Sequence, residues 1–111
     1  MAITFDKLGG SFWHDGKLID INFSFNTKGQ SSVSVIADFY PDSQTAQRIT
    51  YIIECKDVQH FSCSIDANEL KEHRNAGNIS DGYLKNNVLW IYLIDGLLEI
   101  QARKFTICEQ I

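Results

Sequence analysis

The strongest constraint in this sequence is a period of two. In residues 17–25, Ile19, Ile21, Phe23 and Phe25 alternate with Asp20, Asn22 and Ser24. In residues 32–40, Val33, Val35, Ala37 and Phe39 alternate with Ser34, Ile36, Asp38 and Tyr40. Residues 47–55 continue the pattern with Ile49, Tyr51, Ile53 and Cys55. Residues 88–94 alternate Leu89, Ile91 and Leu93 with Trp90, Tyr92 and Ile94. Residues 97–108 place Leu98, Ile100 and Ala102 on one face, then slip in phase so that Phe105 and Ile107 follow. Successive side chains of a strand point to opposite faces, so this spacing specifies half-buried antiparallel strands. Phe61, Cys63 and Ile65 suggest a further, broken strand over 58–65, and residues 79–84 a short one, giving six to seven in all.

The punctuation agrees. Residues 26–30, with Gly29, read as a hairpin loop, and Pro41 stops the second strand because it lacks a ladder donor. Asp95-Gly96 between two apolar arms reads as a type I′ turn, and Asn86-Asn87 as a second reversal. The phase slip at Arg103-Lys104 calls for a β-bulge. One helix is expected near 67–75, capped by Asp66 with Glu69 three residues on and stopped at Gly77. These elements predict a single antiparallel α+β domain over 1–111. Its core should contain Ile21, Phe23, Val35, Ile53, Leu89, Ile91, Leu93 and Ile100. Ile36 and Ile52 make the second sheet face partly apolar, so it should be covered.

Composition narrows the function. An apolar content of 44% is that of a globular chain. Net charge is −4, the acidic excess is shared between the two halves, and no Lys/Arg cluster exceeds Arg103-Lys104. A nucleic-acid binder needs cations against phosphates, so nucleic acid is not an expected partner. Three cysteines, Cys55, Cys63 and Cys108, with no CxxC pair, point away from a disulfide framework or zinc site and towards a reducing, cytoplasmic setting. The opening MAITFDKLGG lacks the basic and apolar regions of a signal peptide, and no apolar run is long enough to span a membrane.

No motif assembles a catalytic, metal or cofactor site. His14-Asp15 is the densest candidate, yet adjacent residues of an extended chain face opposite ways, so the pair should not form a catalytic dyad. Phe12 and Trp13 should anchor the chain before the first strand. His60 and His73 lack ligand-spaced partners, and Gly9-Gly10 is only a flexible lead. Glu69 and Glu72 lie at helical spacing and read as a solvated face.

Residues 12–19, Phe-Trp-His-Asp-Gly-Lys-Leu-Ile, resemble the "F-H-D-A, then a strand" opening of small bacterial immunity proteins of the immunity-protein-50 type. Residues 91–102 resemble the closing hairpin common in such domains. Trp13 interrupts the F-H pair and Gly16 stands where the family has Ala. The resemblance implies a cytoplasmic, non-catalytic protein that neutralises a toxin by binding it. An acidic sheet carrying Asp20 and Asp38, with Asn22, Ser24 and Ser34 between, would suit a basic toxin. Trp13, His14, Asp15 and Tyr40 are the further candidate contacts. The alternatives are an assembly subunit or a small-ligand binder.

Overall fold

The computed structural model describes residues 2–3, 10–40, 47–68 and 77–110. Seven antiparallel strands are β1 (Ala2–Ile3), β2 (Gly16–Phe25), β3 (Ser31–Phe39), β4 (Ile49–Ile65), β5 (Asn78–Lys85), β6 (Val88–Leu93) and β7 (Gly96–Glu109). Helix is confined, among the described residues, to α1 (Gly10–Trp13) and a helical start at Ala67 and Asn68. The protein is therefore predominantly β, and most of the helix on which the α+β expectation rests falls outside the described residues. The expected helix begins as read, with the Asn68 amide donating to Asp66 Oδ1 at 3.0 Å, but Glu69, Leu70, Glu72, His73 and Arg74 lie outside the described residues. So does Gly9, while Gly10 opens α1.

The strand order is β1-β7-β4-β3-β2-β5-β6, and β6 pairs again with β7. Six strands thus return on themselves, which removes most of the open edge that a flat sheet would present. Closure between β2 and β5 is brief: Gly16 faces Ile79 and Lys17 faces Asn78. Two flanking bonds extend it, Asp15 N–H to the Ile79 carbonyl at 3.1 Å and Leu18 N–H to the Gly77 carbonyl at 3.0 Å. The Cα radius of gyration, 13.7 Å, is that of one compact domain of this length.

The interior holds Val33, Val35, Ala37, Phe39, Ile53, Cys55, Leu89, Ile91, Leu98, Ile100 and Ile107, all fully buried. Six of the residues expected in the core are there, Ile21 packs against it, and Phe23 is an exception at 46% exposure. Phe23 lies beyond the short β2–β5 closure, so the neighbouring strand that would have covered it has diverged. Ile36 and Ile52 face each other across β3 and β4 on the outer face, half-buried.

Strands 47–55 and 58–65 prove to be one. β4 runs 17 residues because its pairing with β7 continues on both sides of Asp57, whose left-handed φ of 58° marks the interruption as a local kink within the strand. The expected bulge at Arg103-Lys104 is not in β7. Lys56 still faces Lys104 and Val58 faces Ala102, and the register shifts only between Val58 and His60. Both strands instead expose two consecutive residues, Lys56-Asp57 and Arg103-Lys104, and roll over together. Other shifts lie at Leu18/Asp20 and Ile79/Asp81.

The turns also divide differently from expectation. Asn86 and Asn87 both have left-handed φ, 54° and 63°, which makes theirs the I′-like reversal. Asp95-Gly96 is not one: neither residue has positive φ, and Gly96 is already the first residue of β7, opposite Leu93. The glycine there answers a steric demand, since a Cβ on Gly96 would collide with the Ser64 carbonyl of β4. In the β2–β3 loop the reading holds: Gly29 takes φ 78°, and Asn26 Oδ1 accepts from the amides of Lys28 and Gln30 at 2.9 and 3.0 Å.

Two measurements check this architecture. Ile91→Ala, emptying a fully buried site, should lower unfolding free energy by about 2–5 kcal/mol in denaturant titration; a loss below about 1 kcal/mol would place Ile91 outside the core. Gly96→Ala should cost about 1–3 kcal/mol by overpacking against β4 despite its ordinary φ, and unchanged melting would refute the close approach.

Candidate functional site

The residues singled out in the sequence meet at the corner where α1 enters β2. The turn residue Asp15 has φ 63°, a conformation that Asp tolerates better than most residues. The Arg48 Nε donates to the Asp15 carbonyl at 2.9 Å, and its guanidinium stands 4.9 Å from the centre of the Tyr40 ring. Arg48, which sequence reasoning passed over, therefore ties Asp15 to Tyr40. Its place inside the strand expected over 47–55 gives it no signal in the sequence.

His14 and Asp15 sit in a turn and not on an extended chain, so their side chains do approach, with Nε2 to Oδ2 at 3.5 Å. Both are well exposed, and an ion pair in open water contributes little. Trp13 is the clear correction. At 2% exposure it is a core residue and cannot anchor a partner. Its ring meets Phe39 edge-on at 5.5 Å and Phe12 at 5.7 Å, as a chain anchor should.

Asp38 and Asp20 lie on the outer face of β2 and β3. Asp38 faces Lys17, and its carboxylate accepts from Thr50 Oγ1 at 2.5 Å. Asp20 faces Ile36, so an apolar residue interrupts the polar row. Asn22 faces Ser34, and the hydroxyls of Ser24 and Ser32 meet at 3.1 Å. The contiguous acidic face is thus a mixed one, carrying Lys17 as well as the two carboxylates.

Two hollows flank this region. One, of about 380 Å³, is lined by Phe23, Val58, Gln59, His60 and Phe61, with the Phe23 and Phe61 rings stacked at 6.0 Å. The other, of about 370 Å³, lies beside the β2–β3 loop. A third feature is on the far strands, where Tyr83 stacks on Trp90 at 4.8 Å and on Tyr92 at 6.0 Å. Trp90 Nε1 donates to Glu99 Oε2 at 3.2 Å. The hydrogen bond with Tyr83 is the first cause that holds the Tyr92 hydroxyl above its usual pKa. These are cross-strand pairs that stabilise the sheet.

Among the described residues no three His, Cys, Asp or Glu side chains gather to hold a metal, and no helix is long and apolar enough to cross a membrane. The cysteines are free. Burial, then the nearby Glu54 carboxylate, pushes the Cys55 thiol up to about 12, while burial also raises Cys63 to a lesser degree. Comparison of the chain with known protein families, characterised proteins and solved structures finds no match.

The thiols give a pH prediction. The folded Cys55 pKa lies above the ordinary 9.0, so above pH 9 the unfolded chain releases a proton that the native protein keeps. Stability from this group is full below pH 9 and should erode between pH 9 and 12, by up to about 1.4 kcal/mol per pH unit. In native protein a thiol reagent should label exposed Cys63 and Cys108 promptly and Cys55 only on unfolding. Prompt labelling of all three would refute the burial.

Proposed function

We propose that the protein acts by binding another protein, and that its sharpest role is neutralising a basic bacterial toxin in the cytoplasm. One observation carries the binding reading. Three of the exposed large apolar side chains, Ile19, Phe23 and Phe25, lie on the single strand β2, at 52%, 46% and 71% exposure. An apolar strip of this kind with polar residues around it has the anatomy of a protein interface. Asp20 and Asp38 lie on the opposite, outer face of the same two strands, charges suited to steering a cationic partner at long range. Tyr40 and the His14-Asp15 turn extend the contact region, while Trp13 supports it from within. The toxin identity rests on the resemblance of residues 12–19 and 91–102 to immunity proteins.

The reading is tested by co-expression with the product of the adjacent gene in a growth assay. The native chain should restore growth, and the purified Asp20→Lys variant, altered at an exposed carboxylate, should associate several-fold more slowly at low salt while keeping its melting temperature. A catalytic activity that disappears in His14→Ala with the fold intact would overturn it.

A further inference from the structure

A second surface adjoins this strip at Phe25. The strand register sets Ser24 opposite Ser32, Ser32 opposite Lys56, and Lys56 opposite Lys104, one row across β2, β3, β4 and β7. Directly opposed residues share a face of the sheet, so the row brings two hydroxyls and two ammonium groups together. Lys56 and Lys104 are both exposed, and like charges directly opposite are unfavourable unless something of opposite sign lies between or above them. The nearby carboxylates do not fully supply it. Asp57 is engaged by Arg103 Nε at 3.4 Å, and Glu54 reaches Lys56 Nζ only at 3.7 Å with both groups in water. Three cations, Lys56, Arg103 and Lys104, stand here against two carboxylates, Glu54 and Asp57, in a chain whose net charge is −4.

The row opens into the hollow of about 370 Å³, whose lining includes Ser24, Phe25, Ser32 and Lys56 together with Asp57, the carboxylate engaged by Arg103; Lys104 stands next to Lys56 just outside it. The hollow is held in shape. Asn26 Nδ2 donates to Gln30 Oε1 at 2.9 Å, and Ser31 Oγ donates to the Val58 carbonyl at 2.6 Å, joining β3 to β4 past the roll. Ser24 and Ser32 share one hydrogen bond, which leaves one of their two hydroxyl protons for a ligand. Phe25, 71% exposed, supplies an apolar wall.

We infer that this hollow binds a small organic phosphate monoester, its phosphate on Ser24, Ser32 and Lys56, with Lys104 reaching in from the neighbouring strand, and its ring against Phe25. A phosphate monoester fits better than a carboxylate. Its charge near −2 matches the two lysines, and its three free oxygens accept more donors than a carboxylate can. The volume is that of a small-molecule site. Phe25 and Ser24 are shared with the surface considered for the toxin contact; Ser32, Lys56 and Lys104 are not.

Amide chemical-shift titration of the whole chain at about pH 7.5, where the phosphate is a dianion, tests the site with three probes: inorganic phosphate, phenyl phosphate and uncharged phenyl glucoside. Inorganic phosphate and phenyl phosphate should shift the amides of residues 24, 32, 56 and 104, with phenyl phosphate the tighter, and the glucoside should not. Lys56→Gln and Lys104→Gln should each weaken both phosphates by about ten-fold or more, the loss of one charge-assisted donor. Phe25→Ala should remove the advantage of phenyl phosphate and leave inorganic phosphate unchanged. Shifts spread equally over Lys17 and Lys85, or lysine variants that melt normally and bind as before, would overturn the site. The titration uses the protein alone, so its failure leaves the toxin-binding reading standing, and Lys56→Gln/Lys104→Gln should still restore growth.

Discussion

The packing of Trp13 against Gly82 and of Phe39 against Gly16 is the constraint from which the rest of the structure follows. A Cβ on Gly82 would come within 2.5 Å of the Trp13 ring, and one on Gly16 within 2.5 Å of the Phe39 ring. Gly16 lies on β2 and Gly82 on β5, the two strands whose short pairing closes the sheet. The bare backbones let two large rings occupy the place where strands meet. Phe12, stacked on Phe39 at 4.5 Å and edge-on to Tyr51 at 5.4 Å, fills the remainder. Each buried aromatic contributes on the order of 4–6 kcal/mol of apolar transfer, an upper bound before ordering entropy is subtracted. Two rungs of backbone pairing would not hold β2 to β5 without it.

That anchoring has consequences at both ends of β2. At the Gly16 end the strand is pinned, and the His14-Asp15 turn is forced into the open beside Arg48 and Tyr40. Past Leu18 the strand keeps β3 on one side and has no strand partner on the other among the described residues. Ile19, Phe23 and Phe25 are left at the surface as a result. The apolar strip on which the binding reading rests is thus the reverse side of a closure made at one end only.

The β4–β7 ribbon supplies the second organising event. It is long enough to pair with β3 and β1 in one half and with β6 in the other, so its inward face must change midway. The change falls at Asp57 and Arg103, which meet as an ion pair, and puts Lys56 and Lys104 side by side outside. A charge arrangement that local sequence would not favour is produced by the geometry of closure.

The local sequence by itself determined most of the strands and buried residues through period-two alternation, and the hairpin at Gly29 and the stop before Pro41 through turn chemistry, because those signals survive any arrangement of the sheet. It also placed Phe12 and Trp13 as anchors. Tertiary structure alone decided that 49–65 is one strand, that the phase slip is a roll of two strands, and that Phe23 is exposed while Trp13 is not. It also moved the left-handed turn from Asp95-Gly96 to Asn86-Asn87. Of the candidate site, the residues were legible but their association was not. Arg48 joins Asp15 to Tyr40, and Lys56 faces Lys104, across sequence separations that no local pattern encodes. Register between distant strands is fixed by which side chains fill the shared interior, and that is settled only when the chain has closed.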